Sequence, residues 1–150
     1  MTENRNTLGK EERLCGRNAV EELFGKTGSS SMVAFPLRVV YALTEKTNAQ
    51  EASVKMLVSV PKKHFKRAVK RNRVKRQVRE AYRKNKHDLI ETVESSGGKS
   101  MSLAFIWLDD NLHSSKTVEK KVTRLLLRIK ERLEKDKVAQ SGEVQLGTDE

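Results

Sequence analysis

Apolar and polar residues alternate in two segments of the chain, 33–43 and 54–60, and this alternation predicts two β-strands. Pro36 should lie near the start of the first strand, and Pro61 should end the second. A polar loop joins the two strands, which can pair antiparallel. A third strand is predicted for MSLAFIWL, a continuous apolar run whose length and aromatic content fit a buried strand better than a helix.

Helical periodicity occurs in three segments. A short helix should end at Gly25 and Gly28, a second should cover about 68–86, and a third about 115–137. The third carries an apolar stripe that should face the core, formed by Val118, Val122, Leu125, Ile129 and Leu133. The order α, β, β, α, β, α predicts an α+β fold in which a small sheet packs against helices.

The length of 150 residues, with no internal repeat, favours a single domain. We expect this domain to cover residues 8–137, with disordered ends at 1–7 and 138–150. No apolar run approaches the ~20 residues of a membrane span, and the N-terminus lacks the apolar centre of a secretory signal. Cys15 is the single cysteine, so no internal disulfide can form. These features predict a cytoplasmic protein with no membrane partner.

Positive charge is concentrated in one segment of the chain. Residues 62–86 contain thirteen lysines and arginines and one acid, Glu80, whereas the net charge of the whole chain is +11. Such a patch is typical of a protein that binds a polyanion, because each neutralised phosphate releases condensed counterions. The alternative is a solvated helix face without a partner.

The predicted basic helix has two distinct faces. Four residues form a narrow stripe that should face the core: Val74, Val78, Ala81 and Tyr82. The opposite face is cationic and carries Asn72, Lys75, Arg76, Arg79, Arg83 and Lys86. Further cations, from Lys62 to Arg71, crowd the start of the helix, where they oppose the positive end of the helix dipole. A bound phosphate would reverse this destabilising effect, which favours anion binding over a solvated face.

The apolar residues of the basic helix, and the segment that follows it, exclude two classes of polyanion binder. A membrane-bound helix needs bulky apolar residues opposite its cations, and the few apolar residues here are needed by the core. A zipper-type DNA reader needs heptads directly after its basic region, whereas two glycines and a strand follow here. Structured RNA and a non-zipper DNA reader remain.

The stretch AVKRNRVKRQVREAYR, residues 68–83, resembles the RNR signature of the bacterial ribonuclease P protein subunit, and the preceding SVPKK resembles the strand end and basic turn of that family. Weaker resemblance includes KEERLCGRNAVEELFGKTG and VVYAL, so that most of the chain is covered. The resemblance implies a ribosomal protein S5 domain 2-like fold with a left-handed βαβ crossover. It also implies a subunit of a ribonucleoprotein endonuclease that binds a catalytic RNA and removes the 5′ leader of precursor tRNA.

The resemblance further implies roles for individual residues. The residues expected to bind the RNA subunit are Lys66, Arg67, Arg71, Asn72, Arg73, Lys75, Arg76, Arg79 and Arg83. The residues expected to bind the precursor tRNA leader are Phe24, Val39, Tyr41, Lys62 and Lys63. For Tyr41 a core position is the alternative, because one face of a strand usually packs on the core.

Catalytic or metal-binding side chains are not expected in the polypeptide. Asp109, Asp110 and His113 follow the buried strand, where such residues commonly form a strand-to-helix turn. His64 and His87 are not part of a cluster by spacing. The chemistry is expected from the catalytic RNA and its Mg²⁺. The alternative function is a non-catalytic RNA-binding module, such as a ribosome-associated protein, and DNA is not an expected partner.

Overall fold

The computed structural model describes residues 29–45, 53–95 and 99–149. The elements in these ranges are β1 (Ser30–Ala34), β2 (Leu37–Glu45), β3 (Val54–Ser59), α1 (Ala68–Asn85), α2 (His87–Glu94), β4 (Lys99–Trp107) and α3 (Ser115–Asp149). The predicted α+β class is confirmed. The predicted N-terminal helix, which includes Cys15 and Phe24, lies outside the described residues.

The strands form one sheet in the order β1-β2-β4-β3. Strand β4 lies between β2, to which it is antiparallel, and β3, to which it is parallel. The antiparallel pairing of segments 33–43 and 54–60, which the sequence allowed, therefore does not form. Strand β4 separates them because its run MSLAFIWL is apolar on both faces, which suits an inner strand of the sheet.

Two elements were not predicted from the sequence. Strand β1 pairs antiparallel with β2, and a tight turn at Phe35 and Pro36, with a cis peptide bond between them, joins the two strands. Pro36 therefore lies in a hairpin turn. Helix α2 buries Leu89 and Val93. Eight residues are too few for a clear helical period, which explains why the sequence pattern did not indicate α2.

The main core lies on one face of the sheet, beneath the helices. Strand β4 contributes Met101, Leu103, Phe105 and Trp107, all 0% exposed. The predicted core stripes of α1 and α3 are confirmed, because each of their residues is buried in the same cluster. Tyr82 of α1 contacts Phe105 edge to face, with ring centroids 6.3 Å apart. This packing fixes which side of α1 faces solvent.

The connection between β3 and β4 contains α1 and α2 and joins two parallel neighbouring strands. A βαβ crossover around the basic helix is thus present, and its left-handedness stays a prediction. Helix α3 continues to Asp149, past the predicted end near residue 137. The domain bounds and the disordered ends also stay predictions. In the part of the chain that the structure describes, no helix is both long and apolar enough to cross a membrane.

Candidate nucleic-acid interface

Helix α1 begins at Ala68 without a side-chain cap. Its N-cap residue, Arg67, makes no capping hydrogen bond through its side chain, and the first turn contains no acid. The backbone N–H groups of the first turn have no partner within the helix, and they form the positive end of the helix dipole. Lys66, Arg67 and Lys70 are exposed beside them. An anion placed here would bind both the amides and the cations.

The exposed side of α1 carries a straight row of polar and cationic residues, which we call the α1 row. It consists of Asn72, Lys75, Arg76, Arg79 and Arg83, of which Lys75 and Arg83 are half-buried and the others exposed. Val74 and Val78 on the opposite side are 0% exposed. The predicted separation of the two helix faces is confirmed for these residues. Lys86 is an exception and is 3% exposed, because it lies at the junction of α1 and α2.

Arg71 holds the turn that precedes α1. Its Nη1 donates hydrogen bonds to the backbone oxygens of Phe65, at 2.7 Å, and Lys66, at 2.8 Å. Phe65 is buried in the core, so these bonds connect the basic turn to the packed part of the fold. The sequence predicted an RNA contact for Arg71. The structure adds a role within the protein, because Arg71 orients the backbone that carries Lys66 and Arg67.

Arg83 pairs with the one acid of the basic segment. Its Nε donates a hydrogen bond of 3.2 Å to Glu80, and its Nη2 forms an ion pair with the same carboxylate. The hydrogen bond from Arg83 holds the pKa of Glu80 below its usual value, and the pKa of Arg83 is raised by the same bond. Glu80 therefore competes with any phosphate that approaches Arg83.

Replacing Glu80 with glutamine should tighten RNA binding only modestly, by up to about fivefold, because exposed ion pairs are weak. The substitution removes the ion pair between Glu80 and Arg83 and takes one negative charge away from the surface of the α1 row. Binding should be measured by filter retention against salt concentration. In the double variant with Arg83→Ala the gain should largely disappear. An equal gain when Arg83 is already alanine would show that Glu80 acts through the overall charge of the surface and not through Arg83.

The loop between β4 and α3 is joined to α1 and to the turn before it. His64 Nδ1 lies 2.7 Å from Asp110 Oδ1, and His113 Nε2 lies 2.7 Å from Asp109 Oδ2. The hydrogen bond to His113 lowers the pKa of Asp109. Gln77 of α1 donates from Nε2 to the backbone oxygen of His113, at 3.0 Å. These side chains hold the loop in place.

Gln77 had no sequence signal, because glutamine on a helix is usually exposed, whereas here it is 9% exposed. The predicted turn role of Asp109 and His113 agrees with their hydrogen bond across four residues. Over the described ranges, no group of three or more His, Cys, Asp or Glu residues is placed to hold a metal ion.

The residues predicted to bind the leader do not share one exposed surface. Val39 is 0% and Tyr41 5% exposed, and both lie in the main core cluster beneath the helices. Lys62 and Lys63 are exposed in the turn after β3. Phe24 lies outside the described residues. The core alternative for Tyr41 fits its burial, and leader binding by this set stays a prediction.

Comparisons with known proteins agree with this architecture. Residues 8–130 match the family model described as Ribonuclease P. The chain is 47% identical over 122 residues to the ribonuclease P protein component of Porphyromonas gingivalis, covering 81% of this chain and 85% of the relative. It is 36% identical over 105 residues to the protein of the same name from Chlorobaculum tepidum, covering 68% of each. The solved structure of the RNase P protein from Thermotoga maritima has a similar fold, with a TM-score of 0.58 at 23% identity, covering 78% of this chain and 96% of that chain.

Proposed function

The chain belongs to the ribonuclease P protein family, and from this premise we propose that it binds a catalytic RNA and the 5′ leader of precursor tRNA and assists 5′ maturation of tRNA. The observation that carries the proposal is α1. This helix presents a row of cations and an uncapped N-terminus with no acid in its first turn. Both features suit phosphate groups, and an RNA backbone offers phosphates at regular spacing.

In this proposal the polypeptide binds and positions RNA, and the chemistry belongs to the catalytic RNA with its Mg²⁺. Each cation of the α1 row that neutralises a phosphate reduces the repulsion between RNA strands. Free metal ions would otherwise have to screen this repulsion. Arg71 contributes by holding the basic turn through its bonds to Phe65 and Lys66. The cytoplasm is the proposed location, and DNA is not a proposed partner.

The purified chain alone should leave precursor tRNA intact and should stimulate cleavage when mixed with a cognate catalytic RNA and Mg²⁺. The stimulation should be largest at low Mg²⁺, because protein cations then replace the missing counterions. Single-turnover cleavage of a 5′-labelled precursor, measured across a Mg²⁺ series with and without the protein, tests this expectation.

Two outcomes would overturn the proposal. Cleavage by the polypeptide alone, persisting through further purification, would assign the chemistry to the protein. Tight binding of the catalytic RNA, with the same cleavage rate and precursor affinity at every Mg²⁺ concentration, would favour a non-catalytic RNA-binding module. A folded RNA of equal length and unrelated sequence serves as the control for non-specific charge effects.

A further inference from the structure

Helix α3 carries a second row of cations. The row is not evident in the sequence, because acidic and basic residues are mixed along this helix. The α3 row consists of Lys121, Arg124, Arg128, Arg132 and Lys135, none of which is buried. Their spacing of i, i+3, i+7, i+11 and i+14 places them within about 80° around a helix of 3.6 residues per turn. Glu131 borders the row at one point, and no acid occupies the row itself.

The α3 row faces away from α1. Arg128 Nη1 donates a hydrogen bond of 3.3 Å to the backbone oxygen of Val33, which places the row beside β1. By contrast, Ser115 of α3 accepts a hydrogen bond of 3.1 Å from Gln77 of α1. Ser115 lies about 140° around the helix from the centre of the row. The two cationic rows therefore belong to different sides of the protein.

An exposed aromatic side chain lies in the turn that follows β1, the strand that Arg128 of the α3 row contacts. Phe35 is 56% exposed in the β1–β2 turn, two residues along the chain from Val33, whose carbonyl Arg128 contacts. Single exposed apolar residues are common and need no explanation. An exposed aromatic ring near several cations, however, is an arrangement that suits nucleic-acid binding. Unpaired bases stack on such rings while neighbouring cations bind the phosphates.

We propose that the α3 row and Phe35 form a second RNA-binding surface, which binds an unpaired segment of RNA other than the segment on α1. This inference rests on the proposed function, because it assumes that the chain works on RNA. An anionic membrane is a weaker partner for this surface. The apolar stripe of α3 is buried in the core, so the helix cannot insert an apolar face between lipids.

The test of the row compares two double variants of equal charge. Arg124→Gln with Arg132→Gln removes two cations of the α3 row, and Lys116→Gln with Lys130→Gln removes two cations from another side of the same helix. Glutamine has nearly the same helix propensity as lysine and arginine, so α3 should keep its stability in both variants. Affinity for the catalytic RNA and for precursor tRNA is measured at about 50 and about 200 mM salt.

The row variant should lose affinity for at least one of the two RNAs. Two lost phosphate contacts lower the slope of log affinity against log salt by roughly 1.4–1.8, so the loss should be about tenfold larger at the lower salt concentration. The control variant should show a clearly smaller change. Equal losses in both variants, or none in the row variant, would overturn the proposal.

Phe35→Leu tests the aromatic part of the surface. Leucine keeps an apolar side chain but offers no ring, so RNA affinity should fall roughly five- to hundredfold with an unchanged salt slope. An unchanged affinity would remove Phe35 from the surface. Vesicles of phosphatidylserine and phosphatidylcholine give the membrane comparison. If the row variant loses vesicle binding and keeps full RNA affinity, the partner is a membrane and the proposal is wrong.

The same experiment separates this inference from the proposed function. A third variant, Arg76→Ala with Arg79→Ala, removes two cations of the α1 row. If this variant loses RNA affinity while Arg124→Gln with Arg132→Gln does not, the proposed second surface is wrong and the proposed function stands. If neither variant changes the binding of either RNA, the proposed function itself fails.

Discussion

Replacing Tyr41 with alanine should lower the free energy of unfolding by about 3–5 kcal/mol, the usual range for removing a large buried aromatic side chain. Tyr41 is 5% exposed on β2, where its register partners are Ser30 of β1 and Leu103 of β4. Loss of the ring would leave a cavity between the sheet and the helices that the surrounding residues can fill only in part. Urea denaturation followed by circular dichroism measures this change.

Leu43→Ala is the matched control for Tyr41→Ala. Leu43 lies two residues further along the same strand and is 38% exposed, so its truncation should destabilise the fold clearly less. RNA binding of Tyr41→Ala should be measured well below its melting temperature. A large drop in melting temperature, together with equal losses for precursor and mature tRNA, would favour the core position. Wild-type stability combined with a selective loss of precursor affinity would contradict the core position and favour a direct contact with the leader.

The two apolar faces of β2 explain why the sequence did not settle the position of Tyr41. Val39 and Tyr41 lie on the face that packs beneath the helices, and Val40 and Ala42 on the other face are also buried. Alternation identifies which residues share a face of a strand. It does not indicate what covers each face, because that depends on elements far away in the sequence.

The faces of α1 were predictable for the opposite reason. The apolar residues of α1 lie at helical spacing on one side, and the cations lie on the other. Only one rotation of the helix about its axis therefore buries the apolar residues and exposes the cations. Val74 and Arg76 therefore lie where the pattern placed them. The same pattern could not reveal the position of Lys86, because its burial depends on α2, which begins at the next residue.

The order of the strands depends on contacts that no local pattern encodes. Segments 33–43 and 54–60 follow one another in the chain, and neighbouring strands often pair. Here β4 is added between them from a position about forty residues later. The partners of the site residues are non-local in the same way. His64 and Asp110 are 46 residues apart in sequence, and their contact fixes the loop beside the basic turn.

Removing two cations from the α1 row should weaken binding of the catalytic RNA without affecting the fold. In Arg76→Ala with Arg79→Ala, both lost side chains are exposed, and alanine has the highest helix propensity. The free energy of unfolding should therefore change by less than about 0.5 kcal/mol. RNA affinity should fall, with the slope of log affinity against log salt lower by roughly 1.4–1.8.

Lys116→Gln with Lys130→Gln again provides a control of equal charge, placed on α3. Because the net charge of both double variants is the same, net charge alone cannot explain a larger loss in the α1 variant. The cleavage assay adds a second readout, since weaker RNA binding should be overcome by raising the protein concentration. A slope that stays at the wild-type value in the α1 variant would show that Arg76 and Arg79 make no phosphate contact, and the α1 row would then not be the RNA-binding surface.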